Sequence, residues 1–493
     1  IQSEKEGKTP EEYVEYWNKR DFEDFTALNI KFDFFYKTSS PENKQFVQDV
    51  FKKLEQAGHI YENEIIQLYC NTDKKFLPDR YVIGTCPYCK ADDQYSDLCE
   101  KCGRVPEEIE NPHCSICGQT PTKEKTKHYF FKLKNFSNQL SQYLENNQNL
   151  QKDVKKYVQN WIKEGLTDWD ITRDISWGIP IPVDGEKKKV FYGWFDNHLA
   201  YISSTIKFLN DSGKDGKKFW NDSDIYHFIG KDIVYHHYLF LPAMRLGISE
   251  EYKLPDYIPT RGHLTLQSKK ISKSRNWYIG LKDFLGIFPA DYLRFYLISI
   301  NPYSQDDLNF NWDEFATKIN SELIGNLGNL VNRALGFTLK SFDGVVPDPD
   351  EFDNMDKESE KMIKEFVTEL SILMEKNHLD RALKMILQFS AHFNQYFQHK
   401  EPWKNGPGTN SCVFLSVNAV RSLAIAIYPF MPDSSQKIWV QLGLEGNVSA
   451  QMFDQISNIT LNQGHKLGSV SPLFEKVEES VIDEQKSKLG DSN

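Results

Sequence analysis

The sequence predicts an α/β protein in which a parallel-sheet domain is interrupted by a metal-organised insertion and followed by an all-α bundle. Three observations predict this. The apolar run Ile225 to Ile229 meets Gly230-Lys231-Asp232 and then a helical pattern from about Ile233 to Arg245, a strand-turn-helix unit of the kind that builds open parallel sheets and places ligands at strand ends. Six of the eight cysteines stand as three Cys-x-x-Cys pairs between Cys86 and Cys117, a spacing that suits metal in a reducing compartment. Beyond Asp313 apolar residues recur with a helical period almost to the end.

Length and composition bound the alternatives. With 493 residues, 40% of them hydrophobic and 14% aromatic, the chain has material for about three domains and is too rich in core-formers for wholesale disorder. A formal charge of −11 leaves no overall basic footprint, so any nucleic acid must meet a local patch. The most apolar stretch, Val413 to Met431, is interrupted by Asn418 and Arg421 and closed by Pro429 and Pro432. It reads as a buried helix, and no membrane partner is expected. No signal peptide is visible at the start.

In chain order, Thr9-Pro10 and Ser40-Pro41 each set an N-cap ahead of a proline at the first helical position. After Ser40, Val47, Val50, Phe51 and Leu54 fall at helical spacing and Gly58 supplies a stop. From Cys70 to Cys117 the composition shifts to Cys, Pro, Gly and Asp, as in a module with little core of its own. A regular element resumes at Tyr129 to Leu133, a polar helical stretch runs to about Trp161, and Val190 to Phe195 is strand-like. A strand from about Gly262 to Leu266 feeds the basic loop Lys269 to Arg275. The helix expected from Asn320 to Phe337 carries Leu323, Leu327, Leu330 and Ala334 on one stripe and Asn326, Asn329 and Arg333 on another.

Cys86-x-x-Cys89, nine residues, then Cys99-x-x-Cys102 supplies four thiolates in two knuckles, the arrangement tetrahedral Zn²⁺ prefers. Four protein ligands close the coordination sphere, so such a zinc is structural and stabilises a segment too polar to fold alone. The third pair, Cys114-x-x-Cys117, lacks a complete partner because Cys70 is followed three residues later by Asp73. Either a second site of Cys70, Asp73, Cys114 and Cys117 or an empty knuckle follows, and one tightly bound zinc is the expectation.

Lys270-Ile271-Ser272-Lys273-Ser274 brings two ammonium groups and two hydroxyls onto a loop after a strand. Attack on the α-phosphate of ATP moves negative charge onto departing pyrophosphate, and fixed cations there lower the barrier. Trp169-x-Ile171-x-Arg173-Asp174 with Trp177-Gly178-Ile179-Pro180-Ile181-Pro182 resembles the stretch ahead of the second half of the nucleotide-binding fold in class Ia aminoacyl-tRNA synthetases. Phe191-Tyr192-Gly193-Trp194-Phe195-Asp196, then His227-Phe228-Ile229-Gly230-Lys231-Asp232-Ile233-Val234-Tyr235-His236-His237, then the KISKS loop, resemble the methionyl-tRNA synthetases. The resemblance runs from about Gly7 to about Leu444.

It implies a class I Rossmann-like catalytic domain split by a zinc-binding connective insertion and followed by an all-α anticodon-binding bundle. The domains expected are the remainder of the first catalytic half (1–68), the zinc-knuckle insertion (69–165), the second half (166–265), the KMSKS loop and linking region (266–318), the helical domain (319–476) and a tail (477–493). Lys273 and Lys270 match the catalytic lysines, and Gly230, Asp232, Ser272 and Ser274 complete the ATP-binding set. Trp169, Trp194, Tyr201 and His237 match the methionine pocket, where aromatic faces suit a polarizable thioether and Tyr201 could offer its hydroxyl to the sulfur. Asn197 and His198 depart from the small residues usual after Trp194-Phe195-Asp196, making that rim larger and more polar. Arg173 matches an active-site arginine. Asn329, Arg333, Asn394, Tyr396 and Trp403 match the anticodon readers, since Asn and Arg can hydrogen-bond splayed bases and Trp can stack on one.

The implied reaction joins methionine to tRNA(Met) through a methionyl-adenylate, with Mg²⁺-bound ATP as substrate and Zn²⁺ as a structural metal. A cytoplasmic monomer is expected. The family's His-x-Gly-His signature is not found in the sequence, so a further segment carrying it is expected and the chain as it stands is read as incomplete for catalysis. The rival readings are a synthetase for another large aliphatic amino acid and a non-catalytic tRNA-binding or scaffold protein.

Overall fold

The computed structural model describes residues 2–96, 99, 101, 106, 108–183, 185, 189–249, 251–273 and 275–490. Two of the sequence-predicted site residues, Cys102 and Ser274, therefore lie outside the described residues. The chain forms two compact units, one of residues 1–22 and 32–259 and the other of residues 23–31 and 260–493.

The first unit is built on helix α1 (Pro41–Gln56), which starts as the sequence dictates. The Ser40 side chain accepts from the Asn43 backbone N–H, Pro41 follows the cap, and Val47, Val50, Phe51 and Leu54 are all buried. Gly58, at φ 73°, takes the left-handed conformation that ends the helix. Strand β1 (Ile60–Cys70) then leads into the insertion, where β2 (Val82–Thr85) pairs antiparallel with β3 (Glu110–Cys114) over a small core of Cys70, Leu77, Val82, Ile109 and Cys114. The chain returns along β4 (Thr122–Phe131), antiparallel to β1 from Tyr69↔Thr122 to Ile60↔Phe131. Helices α2 (Ser137–Asn146) and α3 (Lys152–Glu164) form the polar helical stretch, after which β5 (Trp169–Asp170) pairs with β4. Strand β6 (Thr172–Arg173) pairs with β7 (Val190–Phe191).

Two elements differ from expectation. The strand expected over Val190 to Phe195 ends at Phe191, because α4 (Gly193–Asp211) begins there with Asp196 in its first turn, where a carboxylate suits the helix's positive end. This correction puts Trp194, His198 and Tyr201 on a helix. The single helix expected from Ile233 to Arg245 is instead a tight turn, a wide π turn over His236–Phe240, and α5 (Leu241–Gly247). Pro242 has no N–H to donate into the preceding turn, and the register widens just ahead of it. The strand expected at Ile225 to Ile229 runs parallel to the next segment, with His227 N–H donating to Tyr257 O at 2.9 Å and Ile229 N–H to Pro259 O at 3.0 Å. The unit's main core gathers Phe51, Phe131, Phe195, Phe240 and Tyr238 between these elements.

In the second unit, β8 (Leu264–Leu266) pairs antiparallel with β9 (Lys269–Lys270) and parallel with β10 (Leu308–Phe310), which follows α6 (Ala290–Ser299) in the chain. Helix α7 (Trp312–Lys318) passes into a π-wound segment, Ile319–Gly328, and then α8 (Asn329–Ser341), so the one helix expected there is two windings of one rod. Its stripe of Leu323, Leu327, Leu330 and Ala334 is fully buried, as its period requires. Helices α9 (Asn354–Glu375), α10 (Leu379–Lys400), α11 (Thr409–Ile427) and α12 (Pro432–Gln441) complete the bundle, and α13 (Glu479–Ser487) follows.

Helix α11 is long and apolar enough to cross a membrane, yet 94% of its most apolar window is buried inside the unit. Three of its polar side chains, Asn418, Arg421 and Ser422, find partners in one later segment. Asn418 donates to Leu461 O at 3.1 Å and accepts from the N–H groups of Thr460 and Leu461, Arg421 donates to Gln455 O and Asn458 O, and Ser422 donates to Ile456 O. Burial of such groups is tolerated only when they are paired.

Candidate active site

In the first unit, β5, helix α4 and the π turn bring together the aromatic residues that the sequence assigned to one pocket. Trp194 stacks on His236 with centroids 4.3 Å apart, and Trp169 stacks on the same ring at 5.0 Å. His198 lies 5.6 Å from Trp194 and 4.9 Å from His237, while Tyr201 lies 5.8 Å from His237. The helical step from Trp194 to His198 to Tyr201 is what lines all three along one face of α4. The wide π turn does the same for His236 and His237, adjacent residues that a regular helix would splay further around its axis. Trp169, Trp194, His198, Tyr201 and His237, five residues scattered over the sequence, thus form one aromatic box.

Its electrostatics follow from burial. His198 and His227 are held well below the ordinary imidazole range by desolvation, and His236 and His237 are lowered to about 4 for the same reason. All four are neutral at pH 7. Asp196, buried in the first turn of α4, has its carboxyl pushed up to about 7 by desolvation, against the pull of the backbone N–H groups of Asp196 and Asn197. Sequence reasoning missed His227, His236 and Asp196 as members of this site. The doubled histidine of Tyr235-His236-His237 was the signal that could have found the second.

At the neighbouring turn, the Asp232 carboxylate lies so close to Gly230 that a Cβ there would come within 2.5 Å of it. The glycine lets that exposed carboxylate fold back over its own backbone. Behind the box, Arg173 lies 3.3 Å from Asp170 and its guanidinium sits over the Tyr192 ring at 3.9 Å. Asp170 and the adjacent Asp174 also flank His128, which is fully buried, at 2.7 and 3.0 Å. Carboxylates accept only, so both ring nitrogens carry hydrogen and His128 is an imidazolium. Lys189 binds Asp174 from the other side.

The insertion holds two clusters of candidate metal ligands. Cys86, Cys89 and Cys99 place their sulfurs within 4.8 Å of one another; Cys102, the fourth expected ligand, is outside the described residues. Cys70, Asp73, Cys114 and Cys117 meet the same limit as a complete set of four. Cys114 and Cys70 lie 3.1 and 3.3 Å from the same Asp73 oxygen, and Cys70 lies 3.4 Å from Cys117. Thiol hydrogen bonds from Cys117, then Cys114 and Cys70, hold the Asp73 carboxyl below its usual range. Three soft donors and one carboxylate converging in this way fit Zn²⁺, and of the two knuckle outcomes left open by the sequence this donor set favours the occupied one.

In the second unit, Lys270 and Lys273 stand exposed on the hairpin of β8 and β9 and the turn after it. Reciprocal 2.9 Å backbone bonds between Ser272 and Trp277 close that turn, and the Trp277 indole donates to Leu266 O at 2.9 Å. The loop is anchored at its base while its cations face solvent. On the bundle, Asn329 donates to Asn394 at 2.8 Å, Asn394 donates to Asn326 O at 2.9 Å, and Arg333 donates to Gln398 at 2.8 Å with its guanidinium 5.7 Å from the Trp403 ring centroid. Trp403 is 44% exposed, so one face of it is available. Tyr396 does not belong to this surface: it is 2% exposed and donates to Asp356 at 2.7 Å. Its expected contact with a base is corrected accordingly, since its ring is packed in the bundle and its hydroxyl is committed to a buried carboxylate. Asn326 and Gln398 are the patch members that sequence reasoning had not assigned.

Comparison with known proteins gives consistent matches. Residues 1–335 match the family model for tRNA synthetases class I (M), and residues 346–493 match that for the anticodon binding domain of methionyl tRNA ligase. The methionine–tRNA ligase of Methanopyrus kandleri is 41% identical over 500 residues, covering 99% of this chain and 74% of that protein. That of Pyrococcus abyssi is 41% identical over 500 residues, covering 97% of this chain and 68% of the relative. A Mycobacterium tuberculosis methionyl-tRNA synthetase solved with methionyl-adenylate shares the fold at a TM-score of 0.79 and 23% identity, over 96% of this chain and 88% of that one.

Proposed function

Since this chain belongs to the methionyl-tRNA synthetase family, whose reaction activates methionine with ATP and charges tRNA, we propose the following division of labour among its residues. The observation that carries it is the single aromatic box made by Trp169, Trp194, Tyr201 and His237 from separate sequence segments. Flat, polarizable aromatic faces suit a thioether side chain.

With methionine so held, its carboxylate oxygen attacks the α-phosphorus of Mg²⁺-bound ATP, and the bond from that phosphorus to pyrophosphate breaks. Asp232, folded over the Gly230 turn, takes the ribose hydroxyls as an acceptor. Lys270 and Lys273 with Ser272 and Ser274 receive the charge that accumulates on the leaving pyrophosphate. Arg173, oriented by Asp170 and Tyr192, supports the rim of the box. In the second step a hydroxyl oxygen of the tRNA's 3′-terminal ribose attacks the methionyl carbonyl carbon and AMP departs. The patch of Asn329, Asn394, Arg333 and Trp403 reads the anticodon of tRNA(Met) by hydrogen bonding and stacking.

Zinc is assigned to both clusters of the insertion, Cys86, Cys89, Cys99 and Cys102 in one and Cys70, Asp73, Cys114 and Cys117 in the other, where it would hold a polar module together and take no part in the chemistry. The domain bounds 1–68, 69–165, 166–265, 266–318, 319–476 and 477–493 are kept as proposed, as are a monomeric state and a cytoplasmic location. Among the described residues no cysteine is in a disulfide.

The test is amino-acid-dependent ATP–pyrophosphate exchange on the full-length protein. Methionine should drive exchange where leucine, isoleucine and valine do not, and Lys273→Ala should slow it by about 2 to 4 kcal/mol in the barrier, the scale of one electrostatic stabiliser, with methionine affinity nearly unchanged. Equal losses in rate and affinity would remove Lys273 from the chemical step.

A further inference from the structure

Residues 475–490 lead back to the loop that carries Lys270 and Lys273, and they are fastened to the second unit in steps. The Glu475 N–H donates to the Tyr292 hydroxyl at 2.8 Å, and the same hydroxyl donates to Glu475 O at 2.7 Å. The Asn320 side chain pairs in both directions with the Val477 backbone at 2.9 Å. Helix α13 then buries Ile482 in the bundle core, Lys486 is paired with Asp313, and Leu489 packs against the same core.

Beyond α13 the chain turns onto the residues that follow the KISKS motif. The Gly490 N–H donates to Asn276 O at 2.9 Å, and the Asn276 side-chain amide donates to Lys488 O at 3.2 Å. The approach is close, since a Cβ at Gly490 would come within 2.3 Å of Arg275 O. Asn276 stands at φ 53°, a left-handed conformation that asparagine tolerates better than most residues. It lies inside the turn closed by the Ser272–Trp277 pair, so a bond to Asn276 is a bond to the hinge of the loop.

We infer that Asn276 and Gly490 are positioning residues for the KISKS loop, the tail acting as a strut that holds the loop's hinge in one setting and so fixes where the Lys270 and Lys273 ammonium groups stand. This rests on the assignment of those lysines to the departing pyrophosphate. A fixed cation stabilises developing charge best when it is already in place, because none of its interaction is lost to ordering it. With the strut detached, the hinge samples settings in which the lysines miss the charge. The aromatic box shares no residue with this contact, so methionine binding is indifferent to it.

The experiment measures pyrophosphate exchange and trypsin cleavage between Lys270 and Arg275 in the full-length protein and its Gly490→Val, Asn276→Gly and Lys273→Ala variants. Gly490→Val, whose added Cβ drives the strut off Arg275, should lower kcat about tenfold, the scale of a misplaced catalytic group. Methionine KM should stay within about twofold, and trypsin should cut the loop faster. Asn276→Gly keeps the left-handed hinge and the bond to Gly490 but loses the amide bond to Lys488, so it should cost about threefold, the scale of one net hydrogen bond. In the Lys273→Ala background Gly490→Val should add little, because both act through one ammonium group. Gly490→Ala gives the same comparisons should Gly490→Val not fold. An unchanged or raised kcat in the Gly490 variant, a methionine KM that rises in step with the loss of rate, or losses that simply add in the double variant each overturn the strut while leaving the lysines assigned. A Lys273→Ala protein that exchanges as fast as the unaltered one overturns the lysine assignment, and this inference with it.

Discussion

His128 shows how much a single buried side chain can decide. Burial alone would push its pKa down, but hydrogen bonds to Asp170 and Asp174 override that and raise it, while Asp174, against its own desolvation, is lowered to about 2 by bonds from His128, Lys189 and Thr126. The raised histidine stabilises the fold fully below its unfolded value of roughly 6.5, and that stabilisation is lost as pH climbs through the folded value. The depressed Asp174 acts in the opposite sense, stabilising above roughly 3.9 and failing as pH falls toward 2. Urea unfolding of the full-length protein should therefore show greatest stability between these limits, and His128→Leu should flatten the alkaline arm while costing about 3 kcal/mol near pH 6, the scale for breaking a buried charged network. An alkaline arm of unchanged slope in the variant would show that His128 is not the titrating group. Motif matching could group Trp169, Trp194 and His237, because their types and order are visible in the chain, and the structure brings them into one aromatic cluster. It could not identify His128, whose importance comes from two carboxylates that strand pairing carries to its ring. It also admitted Tyr396 to the anticodon surface, because burial of a tyrosine is not written in its neighbours along the chain.

Helices and strands were legible to the extent that local chemistry sets them. The Ser40-Pro41 start, the stripe of α1 and the buried character of α11 follow from caps and periodicity. The strand expected to continue to Phe195 was not, because an apolar run of that length suits a strand or a buried helix equally and only packing chooses. The π turn at His236–Phe240 was hidden for a related reason: Pro242 announces a disturbance but not its form. Within the insertion, the Cys86 set was recognised by complete pairing, whereas the Cys70 set stayed one of two open alternatives until folded β1 and β3 brought Asp73 to Cys114 and Cys117. Metal analysis of the full-length protein should give two zinc equivalents per chain. A carboxylate is a weaker partner for this metal than a fourth thiolate, so mild chelation should take the Asp73 site first. Asp73→Ala should remove one equivalent and leave pyrophosphate exchange within about twofold. A single equivalent in the unaltered protein would restore the simpler expectation of one zinc.

At the scale of the molecule, the proposed roles of the bundle surface and of the aromatic cluster are separable by experiment. Trp403→Ala should weaken tRNA binding by about 1 to 3 kcal/mol, the worth of one stacked base, and depress charging while leaving methionine-dependent exchange near normal. Arg333→Ala should do likewise, since its guanidinium lies against the same indole. A parallel fall in exchange and charging, with a lower melting temperature, would make both residues packing elements instead. The helix α11 carries a consequence of another kind, which concerns how the protein is made. Asn418, Arg421 and Ser422 all take backbone hydrogen-bond partners in the stretch from Gln455 to Leu461. While that stretch is still within the ribosome, the emerging chain presents a long greasy segment whose polar groups lack those partners, and to a sorting machinery that reads hydrophobicity alone it resembles a stretch destined for a bilayer. Chaperone capture should therefore peak for nascent chains that have exposed Ile427 but not yet Leu461, and a messenger truncated in that interval would yield a product cleared by quality control, even though every residue of the helix is already present.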